Sequence, residues 1–195
     1  MQPKGSERVT TPLVMGILNV SVNLDKWRLH SISGDCDRAG IYCCAVQEHR
    51  LKTVDPSNII QNQVISHGWI FKYTKCDVGV SLSPLAARQL TKQVSLDSRA
   101  MALHFRAESQ IRPDGKFSRP ASIVFISVYA PAASNPDAIN IRSQLLYKIE
   151  QCLDSVPQSA HVFICGDFNA MLRKGDVDCA FSRNPISKHP VARAA

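Results

Sequence analysis

Two short apolar runs, each closed by polar residues able to do chemistry, constrain this chain more than any other feature. Ile41 to Val46 is continuously apolar and ends at Gln47-Glu48. Val162 to Cys165 is apolar and ends at Gly166-Asp167-Phe168-Asn169. Runs this short suit strands buried on both faces rather than helices. Such strands need covering layers, so the chain must build an α/β body with its polar motifs at strand ends.

Other segments fit that plan. Leu13 to Val20 reads as a buried first strand, interrupted by Asn19. Residues 24–38 read as a short helix with a poor pattern, Leu24, Trp27 and Ser31 sharing a face and Gly34 lying inside. Trp69–Tyr73 and Val78–Leu82 read as strands separated by a hairpin-like return. Ala100–Arg106 and Ile123–Tyr129 are further strands, the second marked by β-branched and aromatic residues. Residues 107–120 read as a loop or turn. Ile141, Leu145, Ile149 and Leu153 recur at helical spacing and place a helix near 138–154. His161–Cys165 reads as a final buried strand. The domain organisation expected is a loose segment at 1–12, one domain at 13–170 and an irregular tail at 171–195.

Composition narrows the class. A length of 195 residues suits one domain, and 45% hydrophobic with 20% charged residues is ordinary for a globular chain. The net charge of +7 favours polyanionic partners, without any dense Lys/Arg run. The seven cysteines are scattered and form no CxxC pair, which argues against zinc. Read as reduced core thiols, they favour an intracellular location, nuclear or cytoplasmic. No run reaches the ~18 apolar residues of a membrane-spanning helix.

Four motifs carry candidate chemistry. In Gly166-Asp167-Phe168-Asn169-Ala170, residues two apart share a face, so Asp167 and Asn169 address one site. A carboxylate there takes a proton or a metal, and the carboxamide donates to phosphate oxygens. A turn opened by Asp is the equally weighted bland alternative. Glu48, just past a buried strand, suits Mg²⁺, although a solvated strand-end Glu is commoner. Tyr129, in Ser127-Val128-Tyr129-Ala130-Pro131, reaches a cleft with its hydroxyl or is an ordinary strand aromatic. Asn19 must find partners if buried, either backbone or a metal-bound carboxylate. His49 and Arg50 are given no role.

The order and spacing of these motifs resemble the endonuclease/exonuclease/phosphatase family over about Leu13 to Ala170. The nearest likeness is the endonuclease domain of non-LTR (LINE-type) retrotransposon reverse transcriptases and their domesticated, craniofacial-development-protein-like relatives. Gln47-Glu48 and Gly166 to Ala170 are its specific elements, while Val78 to Pro84, Ser98-Arg99 and Ser127 to Pro131 support it.

The resemblance implies a DNase I-like α/β sandwich of two mostly antiparallel sheets with outer helices, its last strands missing. It implies a Mg²⁺-dependent (or Mn²⁺-dependent) endonuclease acting on DNA or another nucleic acid. Glu48 would hold the metal, with Asn19 supporting that site. Tyr129 would contact the scissile phosphate or leaving group, Asp167 would position or deprotonate the attacking water, and Asn169 would bind a phosphate oxygen. Arg99 would be structural or secondary. The chain departs from the family pattern in lacking a terminal Ser-Asp-His motif, and Asp77 stands where a glycine is usual. The expectation is therefore weak or lost hydrolysis, with an uncovered sheet edge inviting association. The other readings are a sugar-phosphate or lipid phosphatase of the same family, a non-catalytic nucleic-acid-binding remnant, and a fragment without function.

Overall fold

A computed structural model of the chain describes residues 13–21, 24–51, 63–66, 68–74, 78–107 and 121–169. Among these residues the order is β1 (Val14–Asn19), α1 (Lys26–Arg38), β2 (Ile41–Gln47), β3 (Gln63–Ser66), β4 (Trp69–Tyr73), β5 (Val78–Leu82), α2 (Pro84–Gln89), β6 (Leu90–Asp97), β7 (Ala100–Arg106), β8 (Ser122–Tyr129), α3 (Ala138–Asp154) and β9 (His161–Asp167). The strands form two sheets, ordered β1-β2-β5-β4-β3 and β6-β7-β8-β9. All pairings are antiparallel except β1 with β2 and β8 with β9.

Alternation along the strands explains the layers. In β2, Cys43 and Ala45 meet Met101, Leu103, Phe105 and Phe125 of the other sheet. The intervening Cys44 and Val46 face outward, with Leu29 and Cys36 of α1. The second sheet repeats this: Ala102, Val124 and Ile126 face outward onto Leu145, Ile149 and Cys152 of α3. Two sheets covered outside by helices make every position of Tyr42–Gln47 buried, which is why that run carries no polar alternation. No helix among the described residues is long and apolar enough to cross a membrane.

Several expectations hold, among them the helix over 138–154 and the antiparallel return from β4 to β5. Others need correction. The inward face of α1 is Leu29, Ser33 and Cys36, and Trp27 is 80% exposed. Its helix rests on tertiary packing and on Asp25, whose carboxylate caps the N–H of Arg28 at 2.8 Å. β1 and β9, read as buried, are edge strands, with Ile17 58% and Ile164 40% exposed. An apolar run records covered faces but not how many strands flank it. Ser83-Pro84 opens a helix, α2, with the Ser83 hydroxyl capping the Ala86 N–H. β6 is a strand the sequence reading did not assign, because as an edge it leaves Thr91, Lys92 and Gln93 exposed. The readings for residues 1–12, 108–120 and 171–195 fall outside the described residues.

Candidate active site

The two parallel pairs place chemistry at one end of the sandwich. Residues paired across parallel strands advance in the same direction, so both C-terminal ends arrive together. In the first sheet Asn19 lies opposite Gln47, and Glu48 follows. In the second, Tyr129 lies opposite Asp167. β1 and β9 abut across the sandwich.

Asn19 joins the halves. Its Nδ2 donates to Glu48 Oε1 at 3.0 Å and to Asp167 Oδ2 at 3.1 Å. Its Oδ1 accepts from the Ser21 N–H at 3.1 Å and the Ser21 hydroxyl at 3.0 Å, which fixes the amide's orientation. Arg50 Nη2 donates to Glu48 Oε2 at 3.2 Å. The bond from Asn19, joined by those from Tyr129, Ser21 and Arg50, outweighs desolvation and holds the Glu48 carboxyl below its usual range. Burial, reinforced by the neighbouring Glu48 charge, raises the Tyr129 hydroxyl, and Arg99 opposes that shift. The Arg99 guanidinium lies 5.4 Å from the Tyr129 ring centroid.

The Asp167 side is held by backbone. Asp167 Oδ1 accepts the Asn169 N–H at 2.8 Å. Asn169 Nδ2 donates to the Ala130 carbonyl at 2.8 Å, and the Ala130 N–H donates to the Asp167 carbonyl at 2.8 Å. Gly166 is required: its φ is +152°, and a Cβ there would lie 1.9 Å from the Val128 carbonyl oxygen. Strain gathers at this end. The positive-φ residues other than glycine among those described are Ser21, Glu48, Arg50 and Asn169, all in these loops.

All five sequence candidates therefore meet. Asn19, Glu48, Tyr129 and Asp167 form one cluster, and Asn169 buttresses Asp167. Four further contributors are given no role from the sequence. Ser21 and Arg50 bond the cluster directly. Arg142 reaches from α3 to the carbonyls of Pro131 and Asn169 at 2.9 and 2.8 Å. Below the site, buried Gln47 donates to the Ser127 hydroxyl at 3.3 Å, which donates to the Gly79 carbonyl at 3.3 Å. Only Gln47 had a local signal, as an amide ending an apolar run. His49 turns away from the cluster, 99% covered and edge-on to Phe71 and Tyr73.

Among the described residues no three His, Cys, Asp or Glu side chains gather as a metal site. Mg²⁺ keeps most of its waters and uses one or two carboxylates, and Glu48 would supply one.

No protein-family model matches the chain, and no curated protein does. Solved structures do. An AP endonuclease from Archaeoglobus fulgidus superposes with a TM-score of 0.51 at 16% identity, covering 81% of this chain and 58% of its own. This is the DNase I-like fold. An AP endonuclease from Leishmania major gives 0.48 at 13% identity over 78% of this chain and 54% of its own. D. rerio TDP2 bound to a single-stranded DNA product gives 0.45 at 14% identity over 85% and 63%. The DNase I-like chain thus spans less than two-thirds of the length of these structures.

Proposed function

We propose that this chain is a Mg²⁺-dependent phosphodiesterase acting on nucleic acid, of the retrotransposon-endonuclease type. The observation that supports it most is the Asn19 amide, which clamps a carboxylate from each sheet beside the Tyr129 hydroxyl. The DNase I-like fold, the net charge of +7 and the Gly166 to Ala170 motif agree with it. The AP endonucleases and DNA-bound TDP2 among the similar structures give DNA as the first substrate to try. Among the described residues the cysteines are free and mostly buried, which fits a reducing compartment.

In this reading Glu48 holds the ion, with Asn19 fixing the carboxylate's orientation. When bound, the ion offsets charge that develops on the phosphate or the leaving oxygen. Asp167, held by the Asn169 N–H, orients the attacking water and accepts its proton. Tyr129 donates to the phosphate. Asn169 spends one amide N–H on Ala130 and has its second for a phosphate oxygen. Among the described residues no imidazole joins these groups. One general acid–base residue contributes ~10²–10⁴-fold, the scale to expect of Asp167.

The test is nicking of supercoiled plasmid with Mg²⁺ or Mn²⁺, against EDTA and a Glu48→Ala, Asp167→Ala double variant. Slow, metal-dependent nicking that the double variant loses is the expected result. The basic charge favours a second reading, nucleic-acid binding without catalysis. Salt-sensitive DNA binding by folded protein that never nicks, and that survives Glu48→Ala, would establish that reading in its place.

A further inference from the structure

Both oxygens of the Glu48 carboxylate already have a donor. Oε1 receives Asn19, and Oε2 receives the Arg50 guanidinium at 3.2 Å. The nearby Tyr129 and Ser21 hydroxyls help hold its carboxyl below the usual range. A divalent cation that approaches Oε2 meets the Arg50 guanidinium there. Losing Asn19 would break the link to Asp167 across the sheets. Tyr129 is anchored through its strand and through Arg99.

Arg50 differs from the others. Its side chain is 54% exposed, while that of Glu48 is 18% exposed. It contacts the carboxylate through one nitrogen, without the fork geometry that makes arginine–carboxylate pairs strong. It sits beyond the strand, on a residue with φ +46°. Among the described residues it is the donor to Glu48 that carries the same sign of charge as the incoming ion. Repulsion therefore drives it off as the ion arrives.

We propose that Arg50 is the exchange partner of the divalent ion at Glu48: its guanidinium holds the carboxylate in place, and metal binding releases it to the rim of the site. This deepens the function proposed above and rests on Glu48 as the metal carboxylate. Arg50 is then a positioning residue. It keeps Glu48 aimed at the site and lowers the site's affinity for the ion.

Mn²⁺ titration of the full chain, stripped with EDTA and then freed of it, tests this by electron paramagnetic resonance. The variants are Arg50→Gln, Arg50→Lys, Glu48→Gln and Arg99→Gln. Arg50→Gln should bind Mn²⁺ roughly 2- to 5-fold more tightly, the scale of a half-exposed ion pair. Arg50→Lys should stay near the parent. Arg99→Gln removes an equal charge that does not touch Glu48, and it should tighten binding less. Equal tightening by Arg99→Gln would reduce the effect to overall charge and overturn the proposal. Binding lost in Glu48→Gln but unchanged in Arg50→Gln would overturn the exchange and leave Glu48 as the metal carboxylate. Binding indifferent to Glu48→Gln would overturn both.

Discussion

The two halves of the site are built by different means. The half from the first sheet, Asn19, Ser21, Glu48 and Arg50, is joined mainly by bonds between side chains at exposed or half-exposed positions. The half from the second sheet, Tyr129, Asp167 and Asn169, is tied to backbone at Arg99, Ala130 and Asn169. Backbone partners are fixed by strand register and cannot be traded without disturbing the sheet. Side-chain partners can be exchanged for a ligand. The second half is therefore the template and the first half the adjustable part. A substitution should cost stability in the second half, and change ligand affinity or protonation in the first.

The largest effect should come from Gly166. An alanine there meets the Val128 carbonyl oxygen at 1.9 Å, in a backbone conformation that favours glycine. Strain of about 1–3 kcal/mol and overpacking of similar size together give about 2–6 kcal/mol, enough at the upper end to unfold a marginal domain. Urea denaturation of Gly166→Ala reads this directly. A loss under about 1 kcal/mol would mean that the parallel pair of β8 and β9 is not a fixed template.

Asn169→Ala should come next. It removes the donor to the buried Ala130 carbonyl, worth about 1–3 kcal/mol when a buried group loses its partner. It also puts alanine at φ +46°, at about 1–2 kcal/mol. Asn169→Gly removes only the hydrogen bond, so it should recover about 1 kcal/mol relative to alanine in the same denaturation series. If glycine and alanine are equally destabilised, the backbone strain is not what Asn169 carries.

Much of this arrangement could be read in the sequence because strand ends are local. The apolar run of β2 announces Glu48, and that of β9 announces Asp167. The helical spacing of Leu145, Ile149 and neighbours delimits α3. What escaped is what depends on tertiary neighbours. α1 has a weak periodicity and is decided by packing of Leu29 and Cys36 on β2. The exposed edges of β1 and β9 look the same as central strands when only apolar content is read. Arg142 spans from a helix face to a loop far away in sequence, and Arg50 follows Glu48 without any ligand-like spacing. The convergence of Asn19 and Asp167 requires knowing that β1 and β9 pair in parallel with β2 and β8.

The smallest effect on stability, and the sharpest test of the comparison, is Asn19→Ala. Its hydrogen bonds lie at an exposed position, so stability near neutral pH should change by no more than about 0.5 kcal/mol. The carboxyl of Glu48 should respond more. Asn19 is the leading cause that holds it below the ordinary value of 4.5. A carboxyl depressed in the folded state stabilises the fold above its unfolded value, and loses that contribution as pH falls through the folded value. Removing Asn19 raises the folded value toward the unfolded one and shrinks the contribution. Carbon-13 NMR titration should show the Glu48 midpoint moving up. Any gap between the parent and variant thermal midpoints at neutral pH should narrow below pH 4.5 and close once Glu48 is protonated in both. If Asn19→Ala instead destabilises as much as Asn169→Ala at every pH, Asn19 is structural framework. The first half would then be no more adjustable than the second.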